Sequence, residues 1–277
     1  MATFRYVIAD VFTDVPLAGN QLAVFTDATQ LPEEQLQRLA REVNFSETVF
    51  VYPPDGDGHV RIRIFTPTRE LPFAGHPTLG SAFVLAGPLQ LDEIRLETGA
   101  GVVPVRLARE GSRIVFGWMR QPAFGWEPYD RADELLGLLG LERSGLPVEV
   151  YHQGPGHVLV ELGAREEVVA LRPDFGALKE LLPYGAACFA RDGGTWRARV
   201  FCPAHGVDED PATGSAAGPL ALHLARHGRV EFGEEIEIRQ GEEVGRPSTL
   251  HAVAHAPARV DVGGSAIVVA RGEFRLP

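Results

Sequence analysis

A motif occurs twice in this chain, about half a chain length apart, and it constrains the fold more than any other feature. The first copy runs Arg61-Ile62-Arg63-Ile64-Phe65-Thr66-Pro67, skips eight residues, and continues His76-Pro77-Thr78-Leu79-Gly80-Ser81-Ala82. The second runs Arg197-Ala198-Arg199-Val200-Phe201-Cys202-Pro203, skips six, and continues Asp210-Pro211-Ala212-Thr213-Gly214-Ser215-Ala216. The strand-like parts are 136 residues apart and the turn parts 134. In a chain of 277 residues that distance implies two similar halves, each large enough for its own core. The copies differ where chemistry would sit, with His76 in one and Asp210 in the other.

Composition narrows the classes. A net charge of −11 argues against a nucleic-acid partner, which needs basic surface. Two cysteines, Cys188 and Cys202, make no disulfide scaffold, and a reducing, cytoplasmic setting is expected. No signal peptide or membrane span is read, because the long uncharged run Phe73 to Leu91 is broken by His76, prolines and glycines. The only lysine, Lys179, lies in an amphipathic surface helix and is poorly placed for a pyridoxal Schiff base. Walker, dinucleotide-binding and Cys-x-x-Cys motifs are all missing.

Periodicity gives both halves one order of elements. In the first, strands are expected at Tyr6–Phe12, Gln21–Phe25, Glu47–Tyr52 and Val60–Phe65, with an outer helix over Leu31–Val43. In the second, strands are expected at Val148–Gln153, His157–Glu161, Ala187–Arg191 and Thr195–Cys202, with the outer helix at Asp174–Leu182. Meanders follow at Ile94–Phe116 and Glu235–Val269, and Asp130–Leu141 reads as a helix without a partner. Gly125–Asp130 is the expected linker. The halves are therefore 1–124 and 125–277, with a last strand at about 265–277 returning to the first.

Each motif is followed by a helix without charge until Arg226, which must be buried all round. Pro77 and Pro211 suit the first helical position, which puts His76 and Asp210 at the N-caps; Gly87 and Gly228 suit the ends, and Pro219 a kink or a late start. The fold class expected is α+β: two pseudo-symmetric, β-barrel-like halves, each wrapped around a buried central helix.

A buried helix start is an anion site, and two of them from matched halves suit opposite walls of a cleft. Gly75, Gly80, Gly214 and Ser215 are small enough to let a ligand reach backbone amides, so the ligand expected is small and carries a carboxylate. Asp-Pro alone reads as an ordinary cap; its match to His76 gives it weight. Glu47, in Asn44-Phe45-Ser46-Glu47-Thr48-Val49-Phe50, is an acid among apolar residues at a strand start, where desolvation favours a raised pKa and proton transfer. The matching stretch Tyr184 to Phe189 has no acid, so Glu47 would act singly. His223 and His227 are four apart on a helix, but no carboxylate accompanies them at a diagnostic spacing, and His251 and His255 fit a surface strand. No metal site is assigned.

These segments resemble the PhzF-like family, the phenazine-biosynthesis isomerase group. The matching stretches are Asp10-Val11-Phe12 through Gly19-Asn20, Asn44 to Thr48, Phe65-Thr66-Pro67 with Glu70 to Thr78, and Glu209 to Ala216. The resemblance implies the diaminopimelate-epimerase-like fold. It implies Glu47 as the group that shuttles a proton between carbons, with His76, Asp210 and Ser215 holding and polarising the substrate. It further implies no cofactor and a homodimer. In the wider superfamily racemases and epimerases carry a cysteine at each helix start, which this chain does not.

Overall fold

The computed structural model describes residues 2–256 and 258–276. They form two compact units: one reaches to Pro122 and resumes at Gly263, the other is Ala123–Val262.

The first unit contains β1 (Ala2–Val11), β2 (Asn20–Phe25), α1 (Glu33–Val43), β3 (Glu47–Tyr52), β4 (Val60–Phe65), β5 (Glu70–Leu71), α2 (Gly75–Leu89), β6 (Glu93–Thr98), β7 (Gly101–Glu110) and β8 (Arg113–Arg120). α1 shows how local sequence sets position. Glu33 and Glu34 open it and Arg41 lies in its last turn, as the helix dipole favours. Its apolar face buries Leu36, Leu39 and Ala40 in a cluster with Phe25, Phe50 and Phe65. Asn44 then ends it in the left-handed conformation, with its N–H donating to the Ala40 carbonyl. That reversal delivers Ser46 and Glu47 to the head of β3.

The second unit contains β9 (Trp126–Pro128), α3 (Ala132–Leu139), β10 (Glu149–Tyr151), β11 (His157–Glu161), α4 (Arg165–Ala170), α5 (Phe175–Leu181), β12 (Gly185–Asp192), β13 (Thr195–Cys202), β14 (Val207–Asp210), α6 (Gly214–Arg226), β15 (Glu235–Gln240) and β16 (Ser248–His255). β17 (Arg259–Gly264) leads out of it, and β18 (Ala266–Leu276) pairs antiparallel with β1. The expected linker is partly strand: β9 is paired with β10. The single outer helix of the first unit is replaced here by two short ones, α4 and α5, with Asp174 capping α5 by accepting from the Ala177 amide.

Pairing repeats between the units. β2 runs parallel to β3, and β4 to β6; β11 runs parallel to β12, and β13 to β15. Among many antiparallel neighbours, two parallel steps in the same places mark a duplicated topology. The central helices also repeat. α2 is buried from Gly75 to Phe83 and α6 from Gly214 to Ala225. Pro219 lies inside α6, and α2 runs past Gly87 to Leu89, where Gln90 rather than glycine takes the left-handed cap. Gly228, with φ of 68°, follows the cap of α6 as expected.

The register of the repeat differs from the one the motif suggests. Ile64 pairs with Leu71 in the first unit; Val200 pairs with Asp210 in the second. Ile64 and Val200 are counterparts, so Leu71 and Asp210 are too. Glu70-Leu71-Pro72-Phe73-Ala74-Gly75-His76 therefore matches Glu209-Asp210-Pro211-Ala212-Thr213-Gly214-Ser215, 139 residues on. Ion pairs agree: Arg63 bonds Glu70, and Arg199 bonds Glu209. So does packing. A Cβ on Gly99 would lie 2.8 Å from the Pro72 Cα, and one on Gly241 would lie 2.5 Å from the Pro211 carbonyl oxygen. Two corrections follow. Neither His76 nor Asp210 is an N-cap; those places are held by Ala74 and Thr213. His76 is the second residue of α2 and matches Ser215, the second residue of α6, whereas Asp210 ends β14 and matches a leucine.

Candidate active site

In the first unit the site is built where β2, β3 and α2 begin. Asn20 is buried and uses both ends of its amide. Its Oδ1 accepts from the Ser46 hydroxyl at 3.0 Å, and its Nδ2 lies 3.4 Å from His76 Nδ1. A Glu47 carboxylate oxygen lies 3.5 Å from the same nitrogen, and the Glu47 side chain is only 15% exposed. Burial pushes the His76 pKa down to about 3, against an opposing backbone hydrogen bond at Gln21, so the ring is neutral near pH 7. Its Nε2 is buried without a hydrogen-bond partner among the described residues. A buried polar atom left over in this way is open to a ligand.

In the second unit the corresponding place is built from β11, β14, α6 and β15. Thr213 donates its hydroxyl to Asp210 Oδ2 at 2.6 Å, and its amide donates to Gln240 Oε1 at 3.2 Å. Gln240 Nε2 donates to the Asp210 carbonyl at 2.7 Å and to Thr213 Oγ1 at 2.9 Å. This bracing fixes the Asp210 carboxylate and the start of α6 together. Ser215 Oγ lies 2.9 Å from Nε2 of His157, the first residue of β11. Neither α2 nor α6 has a side-chain cap, and the amides of Gly75, His76, Gly214 and Ser215 lie ahead of each helix's internal ladder.

Glu47, His76 and Gly75 thus gather in the first unit, and Asp210, Gly214 and Ser215 in the second. The sequence reading missed Asn20 and His157 as site residues. Each opens the strand beside its helix and reaches the second helical residue, but the register aligns His157 with Leu22, two residues beyond Asn20. The single-acid reading of Glu47 has a structural counterpart: the residues that match the head of β3 are Gly185, Ala186 and Ala187. Cys188 and Cys202 are buried on strands, and burial pushes the Cys188 thiol up to about 12. Neither can serve as the helix-start thiol of a racemase.

At the far end of α6 the fold supplies the carboxylate that spacing alone did not. Glu149, from β10, joins His223 and His227, with ligand-type atoms within 4.8 Å of one another. Arg226 Nη1, however, donates to Glu149 Oε2 at 2.6 Å, and the guanidinium lies 4.4 Å from the Trp126 ring centre. Its fixed positive charge sits against the oxygen a cation would need. Burial works to raise the Glu149 carboxyl, but hydrogen bonds from His223, Arg226 and Tyr151 outweigh it and hold the group well below the usual range. The cluster anchors α6 to the strands. Glu149→Ala would leave Arg226 and Tyr151 without their acceptor and should cost about 3–5 kcal/mol, read as a lowered urea midpoint.

Among the described residues no helix is long and apolar enough to cross a membrane. The fold is shared with solved structures. A PhzF-family phenazine biosynthesis protein from Bacillus anthracis superposes with a TM-score of 0.82 over 100% of both chains at 26% identity. A predicted epimerase from Pseudomonas aeruginosa gives 0.84 at 33% identity, covering 99% of this chain and 100% of that one. A hydroxyproline epimerase from Agrobacterium vitis gives 0.70 over 98% of this chain and 92% of its own, at 12% identity, a likeness of fold alone. By sequence, the trans-2,3-dihydro-3-hydroxyanthranilate isomerase of Pseudomonas aeruginosa is 49% identical over 276 residues, covering 98% of this chain and 99% of that protein. An uncharacterized isomerase of Deinococcus radiodurans is 36% identical, covering 97% of this chain and 94% of its own. The family model described as phenazine biosynthesis-like protein matches residues 9–272. The chain belongs to that phenazine biosynthesis-like family, and its relatives place it among the family's isomerases.

Proposed function

We propose that this chain isomerises trans-2,3-dihydro-3-hydroxyanthranilate or a close analogue, with Glu47 as a single acid/base. The observation that carries the reading is the nearly buried Glu47 carboxylate 3.5 Å from a neutral, buried histidine. The name of a relative 49% identical along nearly its whole length supplies the substrate class. Glu47 takes a proton from a ring carbon, the electron pair spreads into the conjugated system, and the same carboxyl returns the proton to another carbon. Composition and oxidation level are unchanged, so the step calls for no co-reactant or redox cofactor. His76 holds a polar group of the substrate through Nε2. Taken by itself, the second unit offers the Asp210 carboxylate to an amino group, and the Ser215 hydroxyl with the Gly214 amide at the start of α6 to the substrate carboxylate. The alanines and glycine in the strand matching Glu47 favour one base over a symmetric two-base racemase.

The test is turnover of trans-2,3-dihydro-3-hydroxyanthranilate in D2O, followed by NMR. The expected result is an isomerised product in the absence of any added cofactor, with solvent deuterium at the receiving carbon to the extent that the Glu47 carboxyl exchanges with solvent before it returns the proton. Binding without isomerisation and without deuterium uptake would instead mark a ligand-binding protein that has lost turnover.

A further inference from the structure

Asn20 and His157 each open the strand beside a buried helix and reach that helix's second residue, with different chemistry, although the pairing register aligns His157 with Leu22, two residues along from Asn20. In the first unit an amide on the strand meets a ring on the helix; in the second a ring on the strand meets a hydroxyl on the helix. The second unit makes room for its ring. Gly185 is the parallel strand partner of His157, and a Cβ there would lie 2.5 Å from His157 Nδ1 and 2.8 Å from Cys202 Sγ. The ring is fully buried. Burial first, and then the neighbouring His205, push its pKa down to about 3, so it is neutral, with one N–H and one bare nitrogen. Nδ1 has no hydrogen-bond partner among the described residues, whereas Nε2 faces Ser215 Oγ at 2.9 Å. An orphan buried N–H is rarer than an orphan acceptor, which puts the proton on Nε2.

We infer that His157 is the positioning residue of Ser215: Nε2–H donates to the serine oxygen, fixing the hydroxyl so that its own proton is directed to a ligand acceptor at the start of α6. This rests on the role given above to Ser215 in holding the substrate carboxylate. A lone serine rotor samples donor and acceptor orientations, and a ligand must order it on binding. One already bonded through its oxygen offers a ready donor. The volume a side chain on Gly185 would need is given to the ring that does this.

The experiment has an arm that needs no substrate. Long-range nitrogen–proton NMR of the histidine rings should show His157 protonated on Nε2 and bare at Nδ1, unchanged from pH 8 to 5, with its Nε2 signal shifted by Ser215→Ala. A proton on Nδ1, titration near 6.5, or indifference to Ser215→Ala would overturn the inference even if the proposed reaction were wrong. The second arm is kinetic. His157→Ala and Ser215→Ala should each lower kcat/KM by about 10- to 100-fold, as loss of one hydrogen bond to a charged group does. The double variant should lose no more than Ser215→Ala alone, and His157→Asn should recover part of the loss by supplying an amide N–H donor for the serine oxygen. Additive losses in the double variant would mean that His157 supports the fold rather than the serine.

Discussion

Glu47→Gln should lower isomerisation by about 10³-fold or more while leaving the urea midpoint nearly unchanged. The substitution keeps the shape of the side chain and removes only its ability to take and return a proton. A single group that both abstracts and returns the proton has no stand-in when it is lost, and the strand at the matching place in the second unit offers glycine and alanine. Stability should hold because the carboxylate is at the edge of the core, 15% exposed, and its neighbour His76 is neutral and makes no ion pair near pH 7. Glu47→Asp should fall between, since it keeps the carboxylate but draws it back by one methylene from a carbon that must be met within about 3–3.5 Å. Rates are read under single turnover so that product release does not mask the chemical step. A Glu47→Gln enzyme within tenfold of the parent would move the base elsewhere.

How much of this was legible depended on where the signal lay. Strand alternation and the Arg-x-Arg-x-Phe repeat placed β4 and β13 correctly, because half-buried strands write their pleat into adjacent residues. Charge-free runs after them likewise announced buried helices. The helix starts were misaligned because Gly80-Ser81-Ala82 and Gly214-Ser215-Ala216 look alike, and that chance match outweighed the less conspicuous Glu-x-Pro at 70–72 and 209–211. Backbone pairing separates the two alignments: Ile64 opposite Leu71, Val200 opposite Asp210. The second copy carries three more residues between strand and glutamate, taken up by a 3-10 turn at Pro203–His205. His157 and Ser215 are 58 residues apart, and Glu149 and His223 are 74. Contacts at such separations are created by topology and leave no local pattern to read.

Acid should destabilise this protein well above the range in which carboxylates titrate. His76 and His157 are buried, and burial lowers each from the ordinary 6.5 to about 3. Below 6.5 the unfolded chain protonates both rings, whereas the folded chain excludes those protons until the pH nears 3. Stability is therefore fully present above 6.5 and is lost progressively as the pH falls toward 3. Each ring held neutral below 6.5 costs about 1.36 kcal/mol for every further pH unit, so the two together should remove about 4 kcal/mol between pH 7 and pH 5. That is a large part of a typical folding free energy. His223 is shifted the same way by burial and adds to the loss, whereas its partner Glu149, held low, resists protonation until the pH is below the ordinary glutamate range. Urea midpoints taken at pH 7, 6 and 5 should fall steeply. His76→Gln and His157→Gln, which put an uncharged amide where the ring was, should each remove roughly half of the slope contributed by this pair while lowering stability at pH 7. Slopes that stay parallel to the parent's in both variants would show that these rings are charged in the folded protein, and would take with them the neutral His76 beside Glu47 on which the proposed mechanism rests.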